Sequence, residues 1–349
     1  MLAAAAFSSL IALRSIKVED FETDVPVAAR IWLADAKHAI RDFVADDLDE
    51  EPACIEERLR AEFAAEGIPF ECEECVYGDV SVDVTAHENL VAVEVTLGIP
   101  YGGDAALYLF RDGRLIFTRE ENDYERIGEA LGAFQWKLSP AGDDGAFLIL
   151  TTAISTSPAG SWQWLTYTVD RIVPWCDEAI AIDREGSSIY DGWDNLDLHI
   201  APNRYGLRFD TGALEGGFTR TQRLEYEVDG DSHVRIAPIA ERPEDFVQEW
   251  MSMPEEEAWR WSDVAPVSII SDELYESWGP VRQCIDGWWQ VRMDISDAGS
   301  DDYEPHYFIV SEEQGVYRVR EIRDEPRPGC PDENLPEKED EDEATPPSP

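Results

Sequence analysis

Lysine is almost absent from this chain. Of 349 residues only Lys17, Lys37, Lys137 and Lys338 carry an ammonium, and the other basic side chains are arginines. Against 28 Lys and Arg stand 75 Asp and Glu, a formal net charge of −47. So few cations leave little to cluster against phosphate, which argues against nucleic acid and against an anionic membrane surface as partners. Histidine is also scarce. His38, His87, His199, His233 and His306 stand far apart and no H-E-x-x-H pair occurs, so a histidine-built metal centre has little support. The nucleophile elbow G-x-S-x-G, the phosphate cradle G-x-x-x-x-G-K-[ST] and the dinucleotide signature G-x-G-x-x-G are all missing. No apolar run approaches the roughly 20 residues that span a bilayer.

What is present is acid, apolar side chains and tryptophan. Hydrophobic residues make up 44% and aromatics 11%, enough for a sizeable core, and the length fits about two domains of roughly 150 residues. The acidity is not confined to the end: residues 331–349 hold eight acids and one Lys, and removing that −7 leaves −40 on the rest. Such a surface repels itself and salt relieves it. It reads either as an ordinary solvated coat or as adaptation to a saline setting. The melting temperature is therefore expected to rise from low to molar salt; a flat or falling value would remove the self-repulsion argument.

Residues 1–20 contain LAAAAFSSLIAL at positions 2 to 13, followed by Arg14 and Lys17. The length suits a signal-peptide apolar region, although no basic segment precedes it; the alternative is an apolar first helix packed on the core. Export is the expectation, a cytoplasmic location the alternative. Six cysteines, Cys54, Cys72, Cys75, Cys176, Cys284 and Cys330, are compatible with three disulfides in an oxidising compartment. Cys284 and Cys330 bracket the last folded segment, so a bridge there would tie down the carboxyl end.

Residues 21–70 carry apolar positions at helical spacing in two runs, 25–48 and 55–65, with Gly67 and Pro69 as a stop. From about Val76 the period becomes two. Val80, Val82 and Val84, then Val91, Val93 and Val95, read as half-buried strands. Asp112-Gly113 and Asp229-Gly230 each sit between apolar runs and predict hairpins. Further strands are expected at 146–150, 162–169, 288–295, 307–310 and 316–322. Pro243, Glu244 and Asp245 open a helix, with another short one to 261. The fold class expected is α+β, mainly antiparallel β of sandwich, barrel or partial-propeller kind, with a β domain over 71–240 and a helix-plus-hairpin domain over 241–330. The absence of a fixed-period repeat speaks against a complete propeller of regular blades. Residues 331–349 are proline-rich and acidic with no apolar face, and disorder is expected there.

At Gly132 to Thr151 (GAFQWKLSPAGDDGAFLILT), Leu207 to Asp231 (LRFDTGALEGGFTRTQRLEYEVDGD) and Pro238 to Trp250 (PIAERPEDFVQEW) the chain resembles a group of uncharacterised bacterial proteins predicted to be exported. The resemblance implies export and carries no activity, cofactor or site residue.

Three constellations remain for chemistry. Cys72-Glu73-Glu74-Cys75 is a poor redox pair, because two glutamates raise a thiol pKa. It reads as a disulfide, within itself or with Cys54, as free thiols, or as part of a zinc site with Cys54 and His87. The loops Asp191, Asp194, Asn195, Asp197 and Asp294, Asp297, Asp301, Asp302 offer oxygens for calcium but not at EF-hand spacing, and solvated turns explain them as well. No cofactor is otherwise expected. Of the 12 tryptophans, Trp162 and Trp164 would share one strand face, and Trp288 and Trp289 would face opposite ways. Exposed tryptophan beside carboxylates holds sugar rings; buried tryptophan is simply core. The reading is an exported, non-catalytic binding or structural protein, with a carbohydrate-active protein, a glycan-binding module or a hydrolase with paired carboxylates, as the alternative. Two or more exposed tryptophans in a cleft with converging carboxylates would favour the hydrolase.

Overall fold

A computed structural model of the chain describes residues 8, 11, 12, 25–48, 50–65, 68, 79–99, 102–122, 131–155, 161–175, 179–212, 219–265, 275–296 and 303–330. Cys72, Cys75, Cys176, Asp297, Asp301, Asp302, the acidic tail and most of residues 1–20 lie outside them. The chain divides into two compact units. One comprises residues 1–211 and 224–236, the other residues 212–223 and 237–349. The architecture is α+β and mostly antiparallel β.

In the first unit helices come first. α1 (Val27–Asp46) and α2 (Pro52–Ala65) bury one stripe each, Ala29, Leu33, Ala36, Ile40 and Val44 on α1 and Ile55, Leu59 and Phe63 on α2. The i, i+3, i+4 spacing puts these side chains on one face. That face packs on Val80, Val82 and Val84 of β1 (Val80–His87), on Val93, Val95 and Leu97 of β2 (Leu90–Ile99), and on Ala106, Tyr108 and Phe110 of β3 (Gly102–Arg111). The helical segment and the first strands thus share one core.

Strands β1, β2, β3 and β4 (Arg114–Glu121) run as an antiparallel meander. The β3–β4 turn is the expected Asp-Gly pair. Arg111 faces Arg114, and Asp112 (φ 50°) and Gly113 (φ 76°) both take the left-handed backbone that a two-residue loop of type I′ demands. A second meander follows: β5 (Leu131–Leu138), β6 (Phe147–Ser155), β7 (Trp162–Ile172) and β8 (Ile180–Tyr190). It joins the first at a single register pair, Gly103 with Leu131. A third comprises β9 (Asp197–Ala201), β10 (Arg204–Gly212), β11 (Thr219–Asp229) and β12 (Ser232–Arg235). The second Asp-Gly hairpin is β11–β12, where Asp229 faces Ser232 and Gly230 has φ 66°.

These layers are glued by alternation. On β3, Ala106, Tyr108 and Phe110 face the helices, while Leu107 and Leu109 face Phe147, Ile149 and Ile172 of the second meander. On β6, Leu148 and Leu150 face the other way, into a cluster with Tyr205, Leu207 and Phe209 of β10. A strand buried on both faces reads as a continuous apolar run, as ALYLF and FLIL do here. Between the second and third meanders the Tyr205 hydroxyl donates to Asp183 (2.7 Å), and its ring stacks on Tyr226 at 5.0 Å. Burial and the Asp183 carboxylate push the Tyr205 phenol well above its usual range.

In the second unit α4 (Pro243–Ser252) opens, as expected, with Pro at its start and Glu244 and Asp245 in its first turn. It lays Phe246, Val247, Trp250 and Met251 against Val291, Met293, Phe308, Val310 and Val319. Those residues belong to a meander of β13 (Tyr275–Gln283), β14 (Trp289–Ser296), β15 (Tyr303–Glu313) and β16 (Val316–Arg323). α5 (Glu255–Ala258) and the 3₁₀ turn Trp259–Trp261 follow α4, and the Trp250 indole donates to the Ala258 carbonyl (2.9 Å). The buried Arg220–Glu249 pair (2.7 Å), with Gln222 on the same carboxylate, ties residues 212–223 of this unit to α4. A disulfide joins Cys284 to Cys330.

Candidate functional site

The site begins with the period of β7. Trp162, Trp164, Thr166 and Thr168 share one face, opposite Tyr190, Ser188, Gly186 and Arg184 on β8. Trp162 is 39% exposed and Trp164 47%, so neither is core. The Trp162 ring meets Tyr190 edge to face at 5.2 Å. Trp164 lies over a glycine: a Cβ added at Gly186 would stand 2.9 Å from Cζ2 and 3.0 Å from Nε1 of the indole. Glycine is thus what lets the ring approach the strand this closely. The Trp164 backbone amide donates to Ser155 Oγ of β6 (3.1 Å).

Beside Trp164 opens a cleft of about 190 Å³. Polar groups line it: Glu121 and Asn122 at the end of β4, Ser155, Thr166 and Arg184, with Leu131 and Ala153 as its apolar wall. This volume is below the roughly 300 Å³ of a drug-sized site, which suits a single ring. Burial pushes the Glu121 carboxyl above its ordinary range, while the Arg119 and Arg184 guanidiniums pull it back part of the way. Arg119 itself donates to Asp170 (2.6 Å), whose carboxyl burial also raises. Asp170 and Arg119 line a separate, shallower groove with Leu115, Phe117 and Ala179.

The other expected positions fall elsewhere. Trp288, offered as a platform, is half-buried, and the Arg327 guanidinium covers one of its faces at 4.4 Å. Cys54, offered as a disulfide partner, is a free, exposed thiol in the first turn of α2. His87, weighed as a zinc ligand, packs edge-on against Phe147 at 6.2 Å and contacts the Ser139 carbonyl. Asp191 precedes the short helix α3 (Gly192–Asn195) with φ 48°, and Asp197 is exposed on β9. The side chain of Asp194 lies outside the described residues. Asp294 is engaged by Arg292 (2.9 Å). Among the described residues no three His, Cys, Asp or Glu side chains gather as a metal site. Cys284 and Cys330, in contrast, are bonded to each other.

Sequence reasoning found the tryptophan pair but not Gly186, Arg184 or Glu121. Gly186 gave no signal, because the strand around it shows too little apolar alternation for an isolated glycine to mark a close approach. Glu121 and Arg184 stand in a chain crowded with charges, where nothing local sets them apart.

No family model matches the chain, and no curated protein does. Solved structures with some backbone likeness include the GH93 alpha-L-arabinofuranosidase of Fusarium graminearum in complex with arabinobiose, 9% identical over 66% of this chain and 62% of that one, with a TM-score of 0.26. A thermostable family-43 glycoside hydrolase is 11% identical over 72% and 78% of the two chains, with a TM-score of 0.23. An endo-1,4-beta-xylanase from Bacteroides thetaiotaomicron is 8% identical over 68% and 92%, with a TM-score of 0.18. The chain spans 62% of the length of the first of these enzymes. Scores this low establish no common topology, and no residue role is carried over from them. No helix among the described residues is long and apolar enough to cross a membrane.

Proposed function

We propose that this chain is an exported glycan-binding protein whose sugar platform is the Trp162–Trp164 face of β7. The observation that carries the reading is Trp164: an exposed indole laid over Gly186, beside a ring-sized cleft of hydroxyl, amide, carboxylate and guanidinium groups. An indole face takes the apolar C–H side of a sugar ring, and the surrounding groups supply donors and acceptors for its hydroxyls.

Binding without bond cleavage fits the site better than hydrolysis. Glycoside hydrolysis uses two carboxyl groups about 5 to 9.5 Å apart across the scissile bond. Among the described residues this cleft is lined by one, Glu121, and Asp170 is engaged by Arg119 in the other groove. Export is supported by the Cys284–Cys330 bridge, which suits an oxidising compartment, and by the resemblance to proteins predicted to be exported. The partner is a glycan and not a nucleic acid, in keeping with the net charge of −47.

The test is calorimetric titration against a panel of plant, bacterial and algal polysaccharides. Trp164→Ala is expected to weaken the bound glycan by about 2 kcal/mol, roughly 30-fold, as central aromatic contacts do. Gly186→Ala removes no contacting group, yet it is expected to weaken binding as well by lifting the indole. Wild-type affinity in Trp164→Ala, or no binding across the panel, would sink the reading.

A further inference from the structure

The cleft holds a guanidinium, and a guanidinium chooses among sugars. Arg184 is exposed on β8 and lines the cleft beside Trp164. Its neighbour Arg119 is committed to Asp170 at 2.6 Å. Among the described residues Arg184 has no such ion-paired carboxylate; it acts on Glu121 only through space. We infer that the ring taken by this cleft belongs to an acidic sugar, a uronate, stacked on Trp164 with its carboxylate on Arg184.

This inference rests on the glycan-binding reading and names the ligand class for the same site. Three points of chemistry carry it. First, a guanidinium presents a planar fork of donors that matches a carboxylate bidentately, and such charge-assisted bonds are about twice as strong as neutral ones. A neutral sugar uses that fork only as an ordinary donor. Second, the chain as a whole carries −47, so an anionic ligand is accepted only where the local sign is inverted. Arg184 supplies a positive charge in the lining of a ring-sized cleft, opposite in sign to the chain as a whole. Third, Asn122, Ser155 and Thr166 leave neutral donors and acceptors for the ring hydroxyls. Glu121 works against a uronate as a like charge.

The experiment titrates galacturonate and glucuronate oligosaccharides against their neutral galactose and glucose counterparts at pH 7 and fixed salt. Wild-type protein is expected to bind the acidic series about tenfold more tightly, the size of one charge-assisted bond. Arg184→Gln is expected to erase that preference, costing the acidic series about tenfold more affinity than the neutral one. Glu121→Gln, which removes the like charge, is expected to tighten uronate binding. Arg184 is exposed, so folding is not at issue, and matched melting curves confirm it for both variants. Equal affinity for acidic and neutral series, or equal loss of both in Arg184→Gln, would overturn the uronate assignment and leave the glycan reading standing. If neither series binds and Trp164→Ala changes nothing, the glycan reading falls with it.

Discussion

Replacing Lys37 by alanine is expected to cost about 3 to 5 kcal/mol of folding stability, more than any surface change in this chain. Lys37 is fully buried on α1, and its ammonium donates to Asp104 on β3 (2.7 Å) and Glu120 on β4 (2.8 Å). Asp104 is itself inaccessible to solvent. Removing the cation takes the ammonium counter-charge from a carboxylate in a place where water cannot solvate it, and that penalty dominates the lost attraction. Two controls separate this cause from simple loss of volume. Lys37→Met keeps the packing and removes the charge, so it should be nearly as damaging. Lys37→Met combined with Asp104→Asn should recover much of the loss, because the buried charge is gone. The sign with pH follows. In Lys37→Met the penalty is that of an uncompensated buried negative charge, so it is expected to be full at neutral pH and to shrink in acid, where carboxyl groups take up protons. Urea unfolding at pH 7 and pH 5 measures this; equal penalties at the two values, or a loss under 1 kcal/mol, would contradict it.

Opening the Cys284–Cys330 bridge should be the next largest effect. Its two cysteines are 46 positions apart. Closing a loop of that length removes chain entropy from the unfolded state worth about 4 kcal/mol. The bridge holds the segment after β16 against the turn before β14, where Ile285 also donates its amide to the Gly329 carbonyl (3.0 Å). The paired substitution Cys284→Ser with Cys330→Ser isolates this bond from any other cysteine chemistry. The transition of the second unit is expected to fall by on the order of 10 °C. A shift below about 1 °C would mean that packing of α4 on the β13–β16 meander already restricts the unfolded chain.

Both effects show where local sequence is informative. The bridge was legible, since Cys284 and Cys330 flank the last folded stretch. The Lys37 cluster was not: Lys37 and Asp104 are 67 positions apart, and each looks like an ordinary surface charge. The same contrast runs through the strands. β1, β2, the β3–β4 hairpin and β11–β12 announce themselves by period two and by Asp-Gly turns. β8 does not, because IAIDREGSSIY carries its polar residues on a face that is largely open, leaving little apolar alternation to detect. β5 escapes for a related reason. Most of its residues are only half-buried, and the Trp136 indole, at the edge of the apolar cluster around Leu107 and Phe147, also donates to the Glu94 carboxylate (2.7 Å).

Taken alone, the sequence determined the class of the fold, the helices at 27–46 and 243–252, the tight turns and the acidic coat. These depend on periodicity, on the few residues that tolerate left-handed backbone, and on net charge, all of which act over a handful of positions. It also placed Trp162 and Trp164 on one face, because the side-chain period of a strand is two. Only the tertiary structure decided that this face is open, that Gly186 lies beneath the indole, and that Glu121 and Arg184 come from different meanders to line one cleft. Whether an indole is core or platform depends on what the opposite layer covers, and that is a property of strand pairing across many positions rather than of any stretch of chain.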